Sequence, residues 1–191
     1  MPCFDHFGIL APFYERVIRP PTMRTLLDLS ALRPDLDLLD VGGGTGRVAR
    51  HFCGQVRHVR VLDVSAGMLR ETRGRSCLLG IRGVSEALPF ADGAFPRIIA
   101  VDSLHHFADQ RRAVGELLRV LTPGGRLIIE EPDIRRWVVK LVALGEKLLL
   151  MRSHFQRPER IAQWFETPMT RVQVHVDSSP NFWVVVDKLS G

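Results

Sequence analysis

Apolar residues along the chain fall into two patterns, short continuous runs and sets at helical spacing. Continuous runs of a few apolar residues are typical of strands that are buried on both faces of a parallel sheet. Between these runs, apolar residues recur three and four positions apart, most clearly over residues 108–121. The alternation predicts a doubly wound, Rossmann-like α/β fold with right-handed crossovers. The five predicted strands lie at residues 38–41, 59–63, 78–84, 96–102 and 126–130.

The end of the chain has a different pattern. Two β-rich runs, at residues 171–176 and 182–187, are joined by a polar turn and predict an antiparallel hairpin. The predicted fold is therefore a mostly parallel seven-stranded sheet that ends in an antiparallel hairpin. Upstream, residues 138–151 are strongly apolar but too few to span a bilayer. A helix is predicted to begin at Pro158 and end at Phe165.

Length and composition are those of one globular domain, residues 1–191. The chain is 46% hydrophobic and 25% charged, which is ordinary for such a domain. Its three cysteines, Cys3, Cys53 and Cys77, are scattered and odd in number, so we expect reduced thiols and a cytoplasmic location. The net charge is +5, but lysine and arginine are spread along the chain, which argues against a nucleic-acid partner.

The most informative stretch is LLDVGGGTGRVA, at residues 38–49. It is typical of a strand, a tight turn and a helix start, and glycine is needed where the backbone turns sharply against a ligand. Residues 44–49 fit the dinucleotide fingerprint G-x-G-x-x-G/A, and Asp63 ends the next predicted strand, where an acid binds ribose hydroxyls. These residues alone leave two cofactors open, a nicotinamide dinucleotide and S-adenosylmethionine (SAM).

Four further segments follow in a characteristic order: VLDVSAGML, SEALPFADGAF, DSLHHF and RVLTPGGRLIIEEPD. With them the chain resembles the class I SAM-dependent methyltransferases, in particular the group that includes ubiquinone and menaquinone biosynthesis methyltransferases. The resemblance implies SAM as the cofactor and a methyltransferase activity (EC 2.1.1.-). It implies a small-molecule acceptor, apolar or ring-containing. The terminal hairpin fits this family better than a dehydrogenase, which would continue into a substrate domain.

The resemblance also implies the cofactor contacts. Asp40 would orient the glycine loop or contact the SAM ammonium through water. Asp63 would accept both ribose hydroxyls, and Met68 would pack on the adenine ring. Three glycines would approach the methionine part of SAM, namely Gly42, Gly44 and Gly46. The remaining candidate cofactor residues are Val64, Ser85, Glu86 and Asp102.

One position departs from the family pattern. The family usually has an acidic residue before the Ala-Glu-x-Leu-Pro-Phe stretch, where it contacts the adenine amino group, and this chain has Val84 there. Ser85 or the Glu86 backbone must replace that contact if SAM binds. This departure keeps open a protein that binds SAM without catalysis. A NAD(P)-dependent oxidoreductase is the other alternative.

The candidate catalytic residues are His105 and His106. They follow the fourth predicted strand, whose carboxyl end faces the ligand crevice, and either could take a proton from an acceptor hydroxyl. Tyr14 and Glu131 are predicted to line the substrate site. The histidines and cysteines lack metal-ligand spacing, so no metal site is predicted.

The resemblance implies two specificity segments, an N-terminal lid at residues 1–30 and a substrate cap at residues 134–168. The apolar run within the cap leaves open a peripheral contact with a membrane. The sequence specifies neither the acceptor nor the oligomeric state.

Overall fold

The structure is a computed structural model that describes residues 23–137, 139–140 and 153–191. Tyr14 and most of the predicted lid lie outside the described residues, as does most of the apolar run of the predicted cap. The α-helices are α1 (Met23–Ser30), α2 (Ala66–Arg70), α3 (Gln110–Val120) and α4 (Pro158–Phe165). The strands are β1 (Asp37–Val41), β2 (His58–Asp63), β3 (Leu78–Arg82), β4 (Phe95–Val101), β5 (Leu121–Pro132), β6 (Thr170–Val176) and β7 (Asn181–Lys188).

The seven strands form one sheet in the order β3-β2-β1-β4-β5-β7-β6. Strands β1 to β5 are parallel to one another, while β7 runs antiparallel to both β5 and β6. The predicted fold class, including the terminal hairpin, is confirmed. The strand order reverses direction between β1 and β4, and this switch point is where open α/β sheets bind ligands.

Both faces of the sheet are buried, as the continuous apolar runs predict. Side chains alternate between faces along a strand, so Leu39 joins one core cluster and Leu38 the other. The first cluster includes Leu117 of α3 and Phe165 of α4. The second includes Phe52, which follows the glycine loop. These two layers fix the position of β1, which carries the glycine loop at its carboxyl end.

The helix predicted after the glycine loop is wrong in type and length. The structure has a four-residue 3₁₀ helix, Ala49–Phe52. Gly54, with φ +79°, lies where the chain turns back toward β2, which begins at His58. The loop is therefore not followed by a long α-helix with a macrodipole.

Strand β5 begins at Leu121, earlier than the strand predicted at residues 126–130. Pairing between β4 and β5 shifts register between Phe95 and Arg97, which is how a bulge accommodates extra residues. A Cβ on Gly125 would lie 2.7 Å from the Thr122 carbonyl oxygen. Glycine is therefore needed here because another part of the backbone passes close to it inside a strand, although its sequence context indicates a turn.

The expectation of reduced thiols is wrong for two of the three cysteines. Cys53 and Cys77 form a disulfide, with their Cα atoms 5.8 Å apart. Cys53 lies before β2 and Cys77 immediately before β3, and these two strands are parallel neighbours. Residues that precede parallel neighbours meet at the same edge of the sheet, which explains the pairing across 24 residues of sequence. The cytoplasmic location remains a prediction, without the support of these thiols.

Among the residues that the structure describes, no helix has the length and apolar character that crossing a membrane requires.

We predict that Cys77→Ser lowers the free energy of unfolding by about 3 kcal/mol, because it releases a loop of this size in the unfolded chain. Denaturant unfolding without reductant measures the effect. Reductant should destabilise the wild type by a similar amount and leave the variant unchanged. Equal stability of the oxidised wild type and the variant would contradict the disulfide.

Candidate cofactor pocket

A pocket lies at the carboxyl ends of β1, β2 and β4, at the switch point of the sheet. Most of the candidate residues from the sequence line it: Asp40, Gly42, Gly44, Asp63, Val64, Met68, Ser85, Glu86, Asp102 and His106. Gly46, His105 and Glu131 lie outside the lining that the structure describes. The topology thus brings together residues that are up to 66 positions apart in the sequence, from Asp40 to His106.

The glycine loop owes its shape to conformations that other residues adopt at a cost. Gly42, Gly44 and Gly46 have φ values of +74°, +56° and +73°, in the left-handed region that favours glycine. A Cβ on Gly42 would lie 2.7 Å from Ser103 Cβ, and one on Gly46 would lie 2.7 Å from Leu78 Cδ1. Gly46 therefore allows the loop to pack against β3, whereas Gly42 and Gly44 face the pocket.

Asp40 is a buried carboxylate at the base of the pocket. It is 1% exposed, and neither side-chain oxygen has a hydrogen-bond partner among the described residues. Burial raises the pKa of Asp40 to about 7, with a further contribution from the charge of Asp63 and an opposing one from Arg47. A buried carboxylate without partners is costly. Its oxygens therefore provide acceptors for a ligand group that donates hydrogen bonds.

Gly43 is a site residue that the sequence reasoning missed. A Cβ there would lie 2.5 Å from Asp40 Oδ2 and 2.8 Å from Val61 Cγ1. The third consecutive glycine of the GGG run was the available signal, because the fingerprint itself needs no glycine at this position. Gly43 allows the loop to pass directly over the Asp40 carboxylate.

Asp63 connects the glycine loop to the next helix. Its Oδ2 accepts a hydrogen bond from Gly44 N at 2.9 Å, and its Oδ1 accepts one from Ser65 N at 2.8 Å. Ser65 then caps α2, since its hydroxyl oxygen accepts from Met68 N. Each carboxylate oxygen can accept a second hydrogen bond. Asp63 can therefore hold the loop and a ligand at the same time.

Negative charge predominates around the pocket. Arg47 lies 3.6 Å from the Asp102 carboxylate, and the charge of Asp102 also acts on Glu130 behind the pocket. Glu130 is fully buried and accepts from Asn181 Nδ2 at 2.8 Å, and burial raises its pKa to about 7. Among the described residues, the carboxyl groups of Asp40, Asp63, Asp102 and Glu130 therefore lie in or behind this pocket, together with the buried Arg47. Such a site favours a ligand that carries positive charge.

The opposite wall consists of residues 83–86. Val84 is 45% exposed and lines the pocket. Ser85 Oγ donates to Glu86 Oε2 at 3.0 Å, and Asp109 N donates to Glu86 Oε1 at 3.1 Å. The Glu86 carboxylate thus has partners within the protein. The apolar surface of Met68 and Val84 leaves this side of the pocket suited to a flat, weakly polar group.

His105 and Glu131 form a buried pair outside the described lining. Glu131 Oε2 lies 2.6 Å from His105 Nδ1, and Glu131 Oε1 accepts from the amides of Ser103 and Leu104. The expected position of Glu131 at a substrate entrance needs correction. Its carboxylate is 2% exposed because it satisfies buried amides of the loop after β4. His105 stacks on Phe155, with ring centroids 4.4 Å apart.

His106 is the histidine that lines the pocket. Its Nδ1 lies 3.3 Å from Ser153 Oγ. Burial, and secondarily the charge of His105, lowers the pKa of His106 to about 3. The imidazole is therefore neutral at physiological pH, with one ring nitrogen able to donate and the other able to accept a hydrogen bond.

The described part of the chain contains no group of three or more His, Cys, Asp or Glu residues arranged to hold a metal ion.

Comparison with known proteins agrees with this geometry. Residues 39–129 match the family described as methyltransferase domain. The chain is 35% identical over 118 residues to the ubiquinone/menaquinone biosynthesis C-methyltransferase UbiE of Klebsiella pneumoniae subsp. pneumoniae, covering 56% of this chain and 47% of that protein. The chain thus spans about half the length of the curated relatives it matches.

Solved structures share the fold at low sequence identity. One is a chain of the complex between the Haloferax volcanii Trm112 methyltransferase activator and a methyltransferase, with a TM-score of 0.80 at 14% identity. The match covers 98% of this chain and 99% of that one. A SAM-dependent methyltransferase from Aquifex aeolicus has a TM-score of 0.67 at 17% identity, covering 88% of this chain and 90% of the other.

We predict that Gly43→Ala lowers the free energy of unfolding by about 1–3 kcal/mol, because the new methyl group collides with Asp40 and Val61. Gly115→Ala is the matched control, since a Cβ there meets nothing within 4 Å and alanine favours the interior of α3. Denaturant unfolding of both variants measures the difference. A Gly43→Ala protein as stable as the wild type would contradict the close contact of this backbone position with the side chains of Asp40 and Val61.

A second prediction concerns pH. The folded protein binds the Asp40 proton more tightly than the unfolded chain, since the pKa rises from 3.8 to about 7. The contribution of this group to stability is therefore present at low pH and is lost as pH rises through about 7. Asp40→Asn should remove this decline, so that the variant gains stability relative to the wild type between about pH 4 and about pH 7.

Urea unfolding across this pH range measures the slope for both proteins. Asp28→Asn, on the exposed face of α1, is the matched control and should keep the wild-type slope. Parallel pH profiles for the wild type and Asp40→Asn would contradict the raised pKa.

Proposed function

We propose that this chain, which carries a domain of the class I SAM-dependent methyltransferase family, binds SAM in the described pocket and transfers its methyl group to a small molecule. The observation that carries the proposal is the buried Asp40 carboxylate, which has no partner among the described residues and faces the pocket. When bound, SAM supplies an electrophilic methyl group on a positively charged sulfur. The remaining chemistry belongs to the residues of the chain.

The pocket fits the charges of this cofactor. Asp40 would accept hydrogen bonds from the cofactor ammonium, which would supply the missing partners of its two oxygens. The surplus of carboxyl groups around Arg47 would also favour the positive sulfur. Gly42, Gly43 and Gly44 would leave room for the amino-acid portion, because each lacks the Cβ that would fill the loop.

The ribose of the cofactor would contact the end of β2, and its adenine ring would contact the wall formed by residues 83–86. Asp63, which accepts from Gly44 N and Ser65 N, would also accept from the ribose hydroxyls, since each carboxylate oxygen has two acceptor positions. Met68 and Val84 would pack on the adenine ring. Because the Glu86 carboxylate and the Ser85 hydroxyl already bond to each other, the backbone of residues 84–86 would supply the polar adenine contact.

His106 would orient the acceptor through a hydrogen bond rather than act as a general base. A ring with a pKa of about 3 is a weak base at neutral pH, and base catalysis depends on a match to the working pH. The neutral imidazole can still accept a hydrogen bond from an acceptor hydroxyl and hold it in line. We assign His105 to the support of this loop through Glu131, because it lies outside the described pocket lining.

The described end of the cap packs directly on the His106 loop. His154 N donates to His105 O at 2.7 Å, and Gln110 Nε2 donates to both Leu104 O and His154 O. These bonds support a role for residues 134–168 in acceptor binding. The relatives act in quinone biosynthesis by name, which supports an apolar or ring-containing acceptor and a carbon nucleophile. The lid at residues 1–30, with Tyr14, would cover the same side.

Two alternatives make different demands on the pocket. A dinucleotide would place a pyrophosphate among Asp40, Asp63 and Asp102, and the four-residue 3₁₀ helix offers little macrodipole to offset that repulsion. The pocket therefore favours SAM over NAD(P). A protein that binds SAM without catalysis is supported by Val84 and by the weak basicity of His106. Methyl transfer to an acceptor distinguishes it from the enzyme.

We predict that the protein binds SAM and S-adenosylhomocysteine and that Asp63→Ala weakens both roughly 10- to 100-fold, because two hydrogen bonds to a charged acceptor are lost. Isothermal titration measures the affinities. NADH, titrated as the alternative cofactor, should not bind. Asp28→Ala is the matched control. Methyl transfer is then measured as S-adenosylhomocysteine formed with phenolic and apolar ring acceptors.

Folded protein that binds neither sulfur ligand would overturn the proposal. Binding of NADH with no binding of SAM would establish the oxidoreductase instead. Tight SAM binding without turnover on any acceptor would favour the non-catalytic protein.

A further inference from the structure

A second cavity lies beside the edge strand β3, separate from the cofactor pocket. Four arginines line it: Arg70 from α2, Arg73 and Arg75 from the following turn, and Arg82 from the end of β3. We name it the arginine cleft. Its described lining shares no residue with that of the cofactor pocket. Strand β3 is the edge of the sheet, so no further strand from the described residues covers this side.

The arginine cleft brings four positively charged side chains to one cavity. Among the residues described as lining it, none is acidic. Arg75 donates to the Thr45 carbonyl and Arg82 to the Val64 carbonyl, both at 3.2 Å. A guanidinium has five N–H donors, so the bond to the Val64 carbonyl leaves donors of Arg82 for a ligand. The side chains of Arg70 and Arg73 have no hydrogen bond or ion pair with a described residue.

Positive charges that line one cavity repel one another, and salt screens the repulsion only in part. Arg75 has an evident structural task, since it holds the carbonyl of Thr45 in the glycine loop. Arg70 and Arg73 have none within the described chain. The arrangement is therefore better explained by an anion that binds among the four side chains.

We propose that the arginine cleft binds a small phosphorylated molecule through its phosphate group. The planar guanidinium fork matches phosphate oxygens with paired hydrogen bonds. The rest of the lining is partly aliphatic, with Ala66, Leu69, Leu78 and Leu79, which suits a short apolar body attached to the phosphate. Surfaces for single-stranded nucleic acid combine basic groups with aromatic platforms, and no aromatic residue is among the described lining.

The test measures binding of inorganic phosphate and of butyl phosphate by isothermal titration in chloride buffer at constant ionic strength. The double variant Arg70→Gln/Arg73→Gln removes two guanidinium groups and leaves Arg75 in place to support the glycine loop. Arg160→Gln, an exposed position on α4, is the matched control. All three proteins are first compared by thermal unfolding and by S-adenosylhomocysteine binding, which none of these substitutions touches.

The wild type and Arg160→Gln should bind butyl phosphate saturably, and the double variant should bind it roughly tenfold or more weakly. Tighter binding of butyl phosphate than of inorganic phosphate would support an ester with an apolar body, and equal affinity would support recognition of the phosphate alone. Unsaturable binding to the wild type, or equal affinity in the double variant, would overturn the proposal. So would a single-stranded oligonucleotide that binds more tightly than both phosphates and is lost in the double variant.

Discussion

The buried carboxylate of Asp40 is the constraint around which the cofactor pocket is built. It lies at the end of the central strand β1, with both oxygens unpartnered among the described residues, and removing such a group from water is costly. The surroundings accommodate it in two ways. Gly43 lacks the side chain that would collide with it, and Arg47 partly offsets its charge. A ligand that donates hydrogen bonds and carries positive charge would offset the remaining cost of burying this carboxylate.

The loops around this carboxylate are held by buried acceptors rather than by helix dipoles. Asp63 fixes the glycine loop through Gly44 N, and Glu131 fixes the loop after β4 through the amides of Ser103 and Leu104. The helix after the glycine loop is only one turn of 3₁₀ helix. The site therefore depends on side-chain carboxylates from β2 and β5, which explains why so much negative charge surrounds it.

Most of the fold could be predicted from the sequence, because hydrophobic periodicity reports burial directly. The apolar run at Ile98 reported a strand covered on both faces, and the boundaries of α4 (Pro158–Phe165) agree with the predicted helix. The disulfide between Cys53 and Cys77 could not be predicted from spacing, because it depends on β2 and β3 being neighbours. The bulge at Gly125 likewise depends on pairing with β4.

The sequence indicated which residues line the pocket better than it indicated what each of them does. Asp40, Asp63 and His106 line one pocket, and their roles in binding or catalysis stay predictions. The different positions of His105 and His106 depend on which side chain the loop turns toward Glu131, and adjacent identical residues carry no signal for that. Gly43 packs closely against the Asp40 carboxylate and Val61, and the run of three glycines marks this position in the sequence without showing what it contacts.

Titration calorimetry of S-adenosylhomocysteine binding near pH 7, in buffers of different ionisation enthalpy, measures how many protons are released on binding. Binding should displace protons from the Asp40 carboxyl, whose pKa is raised to about 7, and Asp40→Asn should release fewer protons than the wild type. The same proton release in both proteins would contradict the proposal that the cofactor ammonium donates hydrogen bonds to the Asp40 carboxylate.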